Sequence, residues 1–351
     1  MKALIIGDCH FKDGVDGYLD SQISSILSII EERKPKYVIF LGDIFDARNP
    51  KVSEIVPVFY LFYNLSLIPG LSQTFVMRGN HDSANKSDDG LSILNCLSYQ
   101  KKIEVILSDW NCHWQDLGLS FVPHYENDDL VREILNDKWC QDLVFGHFGY
   151  EGCLNTFGYN DFGIKKEEIK KRTILGHIHK YCEDGNITIL GTPYSTCYSE
   201  VDYKHYVGEI TRDKKTGKWS ELEKIEVESG PRHYICPFES LEQMKEDISN
   251  PKFFTLLRVL MNKFTDETSN DLKNKIKEEF KVAHVELVFQ PVYDKKLEKR
   301  LSNFETSESI TEIDDDILDK YIEENATNIP VEKLKEGLEM IKANANQEDN
   351  S

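Results

Sequence analysis

The chain has 351 residues and a formal net charge of −19, from 42 Lys or Arg against 61 Asp or Glu. This length predicts two or three domains, because single hydrophobic cores stop growing at roughly 250–300 residues. An even spread of acid would exclude non-specific binding to nucleic acid or to an anionic membrane. The spread is uneven, since residues 301–351 hold 14 acidic and 4 basic side chains, more than half of the excess. The charge therefore does not exclude a polyanionic substrate for the rest of the chain.

The eight cysteines form no Cys-x-x-Cys pair, which excludes zinc-ribbon and thioredoxin-like motifs. Eight cysteines in a chain of this length are not a disulfide framework, so we expect a cytoplasmic location. The apolar run before Asp8 is too short for a signal peptide. Residues 55–77 are uncharged, but Pro69-Gly70 predicts a turn between a helix and a strand, so no membrane span is expected.

The first 200 residues alternate short apolar runs with helical patterns, which predicts an α/β domain with buried sheets. Helices are expected over Ile23–Ile30 and Val58–Leu65, where apolar residues recur at helical spacing. A basic hairpin tip is expected at Asp213–Gly217. The predicted strands are Ala3–Ile6, Tyr37–Leu41, Phe75–Met77, Leu143–Phe145, Thr173–Leu175, Ile187–Leu190 and Tyr206–Ile210.

The sequence changes in character near Pro231. Residues 232–292 predict a small α+β unit in which strands alternate with helices over Ser240–Ile248 and Ser269–Phe280. Residues 301–351 are acidic but keep apolar residues at helical spacing, which predicts two amphipathic helices. The predicted domains are therefore residues 1–230, 231–300 and 301–351, the last with a disordered end.

Five predicted strands each end in glycine followed by a side chain that can bind a metal. Asp8, Asp43 and Asn80 are 35 and 37 residues apart, the length of one strand and one crossover helix, so parallel strands would bring them to the same edge of a sheet. The two-residue period of a strand places Asp8 and His10 on one side and Cys9 on the other, so we expect Cys9 to pack in the core. The five motifs are Gly7-Asp8-Cys9-His10, Gly42-Asp43-Ile44-Phe45-Asp46, Gly79-Asn80-His81-Asp82, Gly146-His147 and Gly176-His177-Ile178-His179.

The side chains of these motifs suit a dinuclear metal site. Two Asp, one Asn and four His are ligands for manganese, iron or zinc. Two such ions about 3.5–4 Å apart can share a carboxylate and hold a phosphoryl group in line with a hydroxide. A single Gly-Asp or Gly-His pair more often marks a turn with a solvated side chain. Because all five motifs occur in order, each after an apolar strand, the pattern favours a site for phosphoryl transfer.

The motifs, in this order, resemble the calcineurin-like metallophosphoesterase superfamily. Within it they are similar to the SbcD/Mre-eleven nucleases, which act in DNA double-strand-break repair as partners of SMC-like ATPases and include T-even phage members. The resemblance implies a metallophosphoesterase four-layer α/β/β/α sandwich with a small α+β capping domain and a C-terminal helix pair. The motifs cover residues 1 to about 196, and the similarity of the remaining residues is architectural.

By this resemblance, seven side chains hold two divalent metal ions, expected to be Mn²⁺. One ion is held by Asp8, His10, Asp43 and His179, and the other by Asp43, Asn80, His147 and His177, with Asp43 bridging. His81 is then unligated, and it stabilises the transition state or protonates the leaving oxygen. Asp82 is expected to orient His81.

The resemblance also implies an activity and partners. The protein is expected to act as a 3′-to-5′ exonuclease on duplex ends and a single-strand endonuclease, in DNA recombination, repair and replication, through a hydroxide that bridges the two metal ions. Residues 231–300 would meet DNA, and residues 305–343 would dock on an SMC-like ATPase. The alternative for residues 305–343 is packing on their own chain. A homodimer within a heterotetramer is expected, and the following aromatic residues belong either to its interface or to a purely buried helix: Phe59, Tyr60, Phe62 and Tyr63.

Several residues leave alternatives open. Asp46 stands where cellular members of the family often carry His, which affects the balance of exonuclease and endonuclease activity. It is either a carboxylate beside the metal ligands or one at a helix N-terminus. His124, after the predicted strand Leu119–Val122, either approaches the cleft or has a surface role. The basic groups at Lys165–Arg172 and Arg212–Lys218 are either solvated or bound to phosphates.

Two other functions are compatible with the same fold. One is a phosphodiesterase or phosphatase that acts on small molecules. The other is a metal-free scaffold subunit that keeps the fold as a binding surface. Scaffolds of that kind lose metal ligands, whereas all seven predicted ligands are present here, which disfavours this alternative.

Overall fold

The computed structural model describes residues 1–153, 163–262 and 268–289. The chain divides into two compact units, Met1–Gln290 and Pro291–Ser351. The appended unit expected from residue 231 belongs to the first of them. The predicted C-terminal helix pair, and with it the segment expected to dock on an ATPase, lies outside the described residues.

The strands and helices of the described residues follow the alternation that the sequence predicts. The strands are β1 Lys2–Ile6, β2 Tyr37–Phe40, β3 Gln73–Met77, β4 Ile103–Ile106, β5 His113–Trp114, β6 Leu119–Val122, β7 Leu143–Gly146, β8 Arg172–Leu175, β9 Cys182–Asp184, β10 Ile187–Ile189, β11 Tyr206–Thr211, β12 Glu223–Glu226, β13 Gly230–Pro237, β14 Phe253–Met261 and β15 His284–Phe289. The α-helices are α1 Tyr18–Arg33, α2 Val52–Leu67, α3 Asp128–Asn136, α4 Lys245–Ile248 and α5 Ser269–Phe280. Short 3-10 helices lie at Ile93–Tyr99, Asp109–Asn111, Lys166–Glu168, Tyr198–Glu200 and Phe238–Ser240.

The first sheet has the strand order β12-β11-β1-β2-β3-β4, and β1 to β4 are parallel. β11 pairs antiparallel with β1, with Ala3 opposite Ile210. Alternate residues of β1 face opposite sides, because side chains alternate along a strand. Leu4 and Ile6 pack with apolar residues of α1 and α2, whereas Ala3 and Ile5 pack against the second sheet. Because β1, β2 and β3 are parallel neighbours in this sheet, their carboxyl ends lie side by side.

The second sheet has the strand order β5-β6-β7-β8-β10-β9, and its four central strands are parallel. Phe121, Phe145 and Ile174 of this sheet share one core with the first sheet. Val122 and Val144 face the other way and pack with apolar residues of α3. Helices, sheet, sheet and helix thus form four layers, which confirms the predicted α/β/β/α sandwich.

Residues 230–289 form a third sheet, β13-β14-β15, in which all strands are parallel. Parallel neighbours need a crossover connection, and α5 stands between β14 and β15 with Leu272 and Ile276 buried in the core of this unit. The unit is therefore wound as a parallel α/β unit and not as the α+β unit that was expected. The alternation of strands and helices in this stretch is itself typical of parallel strands, so the sequence pattern favours the observed direction over the α+β assignment.

Two predicted helices differ in length from the observed ones. The helix expected over Ser240–Ile248 is reduced to a 3-10 turn and the short α4, because only Leu241 and Ile248 of that stretch are buried. The helix expected over Val58–Leu65 is the central part of α2, and Pro69-Gly70 separates it from β3 as predicted. Among the described helices, none has the length and apolarity that crossing a membrane requires.

Candidate metal centre

The carboxyl ends of five strands meet at one edge of the sandwich. Asp8, Asp43 and Asn80 follow the neighbouring strands β1, β2 and β3, and His147 and His177 follow the neighbouring strands β7 and β8. Ends of parallel strands point to the same edge of a sheet, where α/β proteins place their sites. The contacts described below join all seven predicted ligands in one cluster. The Cys9 side chain is buried in the core of the first sheet, as predicted.

Three of the predicted ligands have a left-handed backbone conformation. The φ angles are 45° for His10, 47° for Asp43 and 77° for His177. Such conformations cost about 1–3 kcal/mol in residues other than glycine, so surrounding contacts must impose them. The N–H of His10 donates to the carbonyl oxygen of Asp43 at 2.9 Å, and the N–H of His177 donates to Asp8 Oδ1 at 3.1 Å. Backbone strain is thus concentrated where the ligands are presented.

Two of the glycines in the motifs have no room for a side chain. A Cβ atom at Gly79 would lie 2.1 Å from Asp43 Oδ1, and one at Gly176 would lie 2.7 Å from Asp8 Oδ1. Any larger residue would therefore displace a carboxylate of the cluster. The Gly-Asn and Gly-His pairs in the sequence reflect this close approach of backbone to carboxylate.

One group of ligand atoms surrounds the amide oxygen of Asn80. Asn80 Oδ1 lies 3.0 Å from His147 Nε2 and 3.0 Å from His177 Nδ1. His147 Nε2 also lies 3.4 Å from Asp43 Oδ2. These four side chains are the ones that the family resemblance assigns to one ion.

A second group of ligand atoms lies on the other side of Asp43. His10 Nε2 lies 3.0 Å from His179 Nε2 and 3.7 Å from Asp43 Oδ2. Asp8 is fully buried beside both groups, with Oδ1 3.4 Å from His147 Nδ1. Asp43 Oδ2 is therefore the atom that the two groups have in common, the position in which a bridging ligand is needed.

Hydrogen bonds decide which nitrogen of two histidines faces the cluster. The carbonyl oxygen of Leu41 and the carboxylate of Glu200 can only accept. Nδ1–H of His147 therefore donates to Leu41 at 2.8 Å, and Nδ1–H of His179 donates to Glu200 at 2.6 Å. In the neutral form of both rings the lone pair is on Nε2, the nitrogen that approaches the other ligands.

The side chains fit a pair of divalent cations. Asp8 Oδ2 and His10 Nδ1 are buried, and neither has a hydrogen-bond partner within the described residues; unpaired buried polar atoms are costly and need an explanation. Two sets, Asp8 with Asp43 and His147, and His10 with Asp43 and His81, each bring three ligand atoms within 4.8 Å of one another. Carboxylate, amide and imidazole ligands together suit divalent cations such as manganese, iron or zinc.

Burial and mutual proximity displace the pKa values of the cluster. Burial raises the pKa of Asp8 to about 6 and lowers the pKa of His10 to about 3. Burial also disfavours a charged His147, but the carboxylates of Asp43 and Asp8 outweigh it and raise the pKa of His147 to about 9. Burial likewise opposes the charge of Asp43, yet the adjacent His147 holds the pKa of this carboxyl below its usual range. His147 therefore carries a proton that a bound cation would displace.

His81 lies beside the cluster, but Asp82 does not orient it. The backbone N–H of His81 donates to Asp43 Oδ1 at 2.8 Å, and its Nδ1–H donates to the carbonyl oxygen of Asp46 at 2.5 Å. The prediction for Asp82 is wrong, because its carboxylate turns away from the ring into the protein interior. There it accepts the backbone N–H groups of Ile44, Phe45 and Gly79. Asp82 thus ties together the loops that carry Asp43 and Asn80.

Asp46 is the carboxylate beside the ligands and not one at a helix N-terminus. Its Oδ1 lies 3.5 Å from His10 Nδ1, beyond a well-formed hydrogen bond, and 3.2 Å from Lys12 Nζ. Helix α2 begins only at Val52. The contribution of Asp46 to His81 comes from its backbone carbonyl, which any residue type supplies.

Glu200 is a residue of the site that the sequence did not reveal. Its buried carboxylate accepts Nδ1–H of His179 and, at 2.7 Å each, the N–H and the hydroxyl of Thr196. Burial opposes its charge, but the hydrogen bonds from His179 and Thr196 lower the pKa of Glu200 to about 2. Glu200 follows neither a strand nor a glycine. The available hint was an acidic residue directly after an uncharged stretch, residues 185–199.

His124 lies at the cleft, which confirms one of the two possibilities left open by the sequence. It follows β6, next to β7, and its ring centroid lies 6.1 Å from that of His147 and 6.0 Å from that of His177. Both of its ring nitrogens are buried without a hydrogen-bond partner in the described part of the chain. Burial lowers the pKa of His124 to about 3, so the ring is neutral.

Comparison with known families gives one match. The family model described as calcineurin-like phosphoesterase matches residues 1–181, just over half of the chain. The matched segment contains all seven predicted ligands and His81, whereas Glu200 and the third sheet follow it. No curated protein matches the chain.

Proposed function

Because the chain belongs to the calcineurin-like phosphoesterase family, we propose that it is a DNA nuclease that uses two Mn²⁺ ions. The family implies metal-dependent hydrolysis of phosphoesters, and the proposal adds the substrate and the metal. The observation that carries the hydrolytic chemistry is the joining of all seven predicted ligands in one cluster, in which Asp43 Oδ2 approaches both His10 and His147. The proposed reactions are 3′-to-5′ removal of nucleotides from duplex ends and nicking of single-stranded DNA, in recombination, repair and replication.

The chain's own residues would position both the metal ions and the substrate. Asp8, His10 and His179 would hold one ion, Asn80, His147 and His177 the other, and Asp43 both. Bound there, two divalent cations would neutralise phosphoryl charge and lower the pKa of water. Nδ1–H of His147 and of His179 is already bound to an acceptor, so each ring keeps one orientation.

His81 would act on the leaving group. The carbonyl oxygen of Asp46 fixes its Nδ1–H, and the backbone N–H of His81 is tied to Asp43 Oδ1. Its second ring nitrogen, Nε2, is then the one that delivers a proton to the departing oxygen. Asp82 holds the two loops that carry His81 and Asp43 at a fixed separation.

Two features support DNA as the substrate. The motif Gly42-Asp43-Ile44-Phe45-Asp46 resembles that of the SbcD/Mre-eleven nucleases, although cellular members often carry His in place of Asp46, and a second small unit, residues 230–289, follows the sandwich as one does in them. More than half of the net negative charge lies in residues 301–351, so residues 1–300, which include the site, carry a net charge of only −9. Two bound divalent cations would make the cleft locally electropositive.

The test is incubation of the full chain with linear duplex DNA and Mn²⁺, beside the Asp8→Ala variant. Degradation by the wild type, lost in Asp8→Ala and kept in the exposed control Asp20→Ala, supports the nuclease. Hydrolysis of a small phosphodiester without degradation of DNA would favour the small-molecule enzyme instead. Inactivity on both substrates, with Mn²⁺ bound, would overturn the proposal and favour a scaffold.

We also propose that a second copy of the chain packs on α2. Of the four aromatic residues, Phe62 is buried in the core, but Tyr60 and Tyr63 are 63% and 50% exposed. With Val56 and Phe59 they line an apolar groove of about 300 Å³. Exposed aromatic and aliphatic groups of this kind mark protein interfaces. A dimer in analytical ultracentrifugation that Tyr60→Glu converts to a monomer supports this, and a monomeric wild type at micromolar concentration contradicts it.

The acidic segment 305–343 is proposed to dock on the coiled coil of an SMC-like ATPase, completing a heterotetramer. The support is the helical spacing of Ile310, Ile313 and Ile317 and of Leu334 and Leu338. Removal of residues 301–351 should abolish co-purification with such an ATPase and leave Mn²⁺-dependent hydrolysis by the chain itself unchanged. Association that survives the removal would place the interface elsewhere.

A further inference from the structure

We propose that the third sheet positions the metal ligand His179 through residues 195–200, which we call the linking segment. The proposal rests on the ligand role that the proposed function gives to His179. It concerns binding of the metal and not the substrate, so it can fail or succeed independently of the nuclease activity.

The inner end of the linking segment holds the imidazole of His179. Glu200 is fully buried and accepts Nδ1–H of His179 at 2.6 Å. Two further hydrogen bonds from Thr196, both 2.7 Å long, fix the Glu200 carboxylate within the segment. A histidine held in this way has both its ring orientation and its ligating nitrogen determined by the carboxylate. Displacement of the segment would therefore displace His179 Nε2.

The outer end of the linking segment is held by the third sheet. A hydrogen bond of 2.9 Å joins Ser195 Oγ to Nδ1 of His233 on β13, and the His233 ring packs edge-on to Tyr198 with centroids 4.7 Å apart. The guanidinium of Arg258 on β14 lies 3.8 Å from the centre of the Tyr198 ring. Arg258 is in turn paired with Glu286 on β15 at 2.9 Å. All three strands of the third sheet thus contribute residues to the contacts that hold the linking segment.

The sandwich also contacts the linking segment. Its contacts include Lys12 Nζ to the carbonyl oxygen of Thr196 at 3.1 Å and Tyr18 Oη to that of Ser195 at 3.5 Å. Beside the segment lies a cavity of about 140 Å³ whose lining includes Ser195, Glu200 and His233. The segment therefore has space to shift when the contacts from the sheet are removed.

The experiment compares two arginines of the third sheet. Arg258→Ala removes the cation over Tyr198. Arg232→Ala is the control from the same sheet: Arg232 also lines the cavity beside the segment, but its ion pair, at 2.9 Å, is with Asp247 and its ring contacts are with Tyr234 and Phe253, all within its own unit. Mn²⁺ is titrated into the full chain, and free Mn²⁺ is measured by electron paramagnetic resonance. We expect Arg258→Ala to weaken one of two sites roughly 3- to 10-fold, while Arg232→Ala leaves both sites within about twofold.

Further variants separate positioning from a loss of folding. Glu200→Gln should weaken the same site by roughly 10- to 100-fold. Arg258→Ala should add nothing to that loss, because it acts through Glu200. Arg258→Lys should restore binding, and Tyr198→Leu should reproduce Arg258→Ala if that variant fails to fold, as judged by circular dichroism.

Three results would overturn the proposal. The first is unchanged Mn²⁺ affinity in both Arg258→Ala and Tyr198→Leu. The second is an equal loss of Mn²⁺ affinity in Arg258→Ala and Arg232→Ala. The third is a fold loss of affinity in the double variant of Glu200→Gln and Arg258→Ala that equals the product of the two single losses. A wild type that binds two Mn²⁺ ions but does not degrade DNA would overturn the nuclease proposal and leave this one intact.

Discussion

The two halves of the metal centre orient their histidines by different means. In the half around His147, Nδ1–H donates to the backbone carbonyl oxygen of Leu41, directly after β2, and the ring is fully buried. In the half around His179, Nδ1–H donates to the side chain of Glu200 on a segment outside the sheets, and the ring is 17% exposed. A backbone carbonyl in a buried strand end cannot be mutated away or moved without unfolding the sandwich. A carboxylate on a connecting segment can be removed by mutation, or moved, without unfolding the sandwich.

The two halves of the metal centre therefore have similar ligands but are not held equally rigidly. The half around His147 is preorganised by the strand ends, whereas the half around His179 depends on one side chain and on what holds that side chain. Asp43 belongs to both halves, since its Oδ2 approaches His10 and His147. The following changes separate effects that are common to both halves from effects on one.

Asp43→Asn should have the largest effect, because it removes the carboxylate that the halves share. Mn²⁺ binding should weaken at both sites, and hydrolysis should fall by more than the roughly 10- to 100-fold expected for loss of a residue that only supports a ligand. Titration with Mn²⁺ and initial rates on linear duplex DNA measure both quantities. Weakening of one site alone would contradict the bridging position of Asp43.

Asp82→Ala should destabilise the fold and impair both halves. It leaves the buried N–H groups of Ile44, Phe45 and Gly79 without their acceptor, and each buried unpaired group costs about 1–3 kcal/mol. We therefore expect a loss of about 3 kcal/mol or more in the free energy of unfolding, measured by urea denaturation. Asp20→Ala on the surface of α1 is the control. A loss of stability no larger than in this control would show that Asp82 does not anchor the loops.

Mn²⁺ affinity should rise with pH. The bound state requires a neutral His147 and an ionised Asp8, with pKa values of about 9 and about 6 in the free protein, so binding releases protons and is favoured as pH increases. His10 and His177, with pKa values of about 3 and about 4, are neutral already and contribute nothing. Between pH 6 and pH 9 the affinity should increase by about tenfold per unit for each proton released.

Calorimetry in two buffers of different ionisation enthalpy measures how many protons are released when Mn²⁺ binds. One proton or more per bound pair of ions is expected at pH 7. Binding with no proton release, or an affinity that falls as pH rises, would mean that His147 does not carry a proton in the free protein.

Asp46→Ala should have the smallest effect. The His81 ring is held by the backbone carbonyl of this residue, which the substitution keeps. The lost ion pair with Lys12 involves a carboxylate that is 38% exposed, and such pairs are worth at most about 1 kcal/mol, a factor of about five in rate. Initial rates of hydrolysis measure the change. A fall of a hundredfold would show that the carboxylate itself takes part in the reaction.

The site could be predicted from the sequence where it depends on strand ends. The spacing of Asp8, Asp43 and Asn80 is one strand plus one helix, and the glycines before Asp43 and Asn80 mark a close approach of backbone to ligands. Such local signals survive in the order of residues along the chain. The α/β class follows from the same alternation of buried strands and amphipathic helices, whereas the four layers were implied by the family resemblance.

The parts that could not be predicted depend on direction and on distant contacts. Asp82 is next to His81 in the chain, but adjacency does not tell which way a side chain turns, and its carboxylate turns inward to Ile44 and Phe45. Glu200 reaches His179 across 21 residues without a motif.

We propose that the seven predicted ligands form a two-metal centre that hydrolyses phosphodiesters in DNA. The most direct test of this proposal is a parallel measurement of bound Mn²⁺ per chain and of the rate of degradation of linear duplex DNA, as Mn²⁺ is added to the metal-free protein. We expect the rate of DNA degradation to reach its maximum only as the second ion binds, and a chelator to abolish this degradation. A maximal rate with one ion bound, or degradation that persists in Asp8→Ala or after chelation, would contradict the proposal.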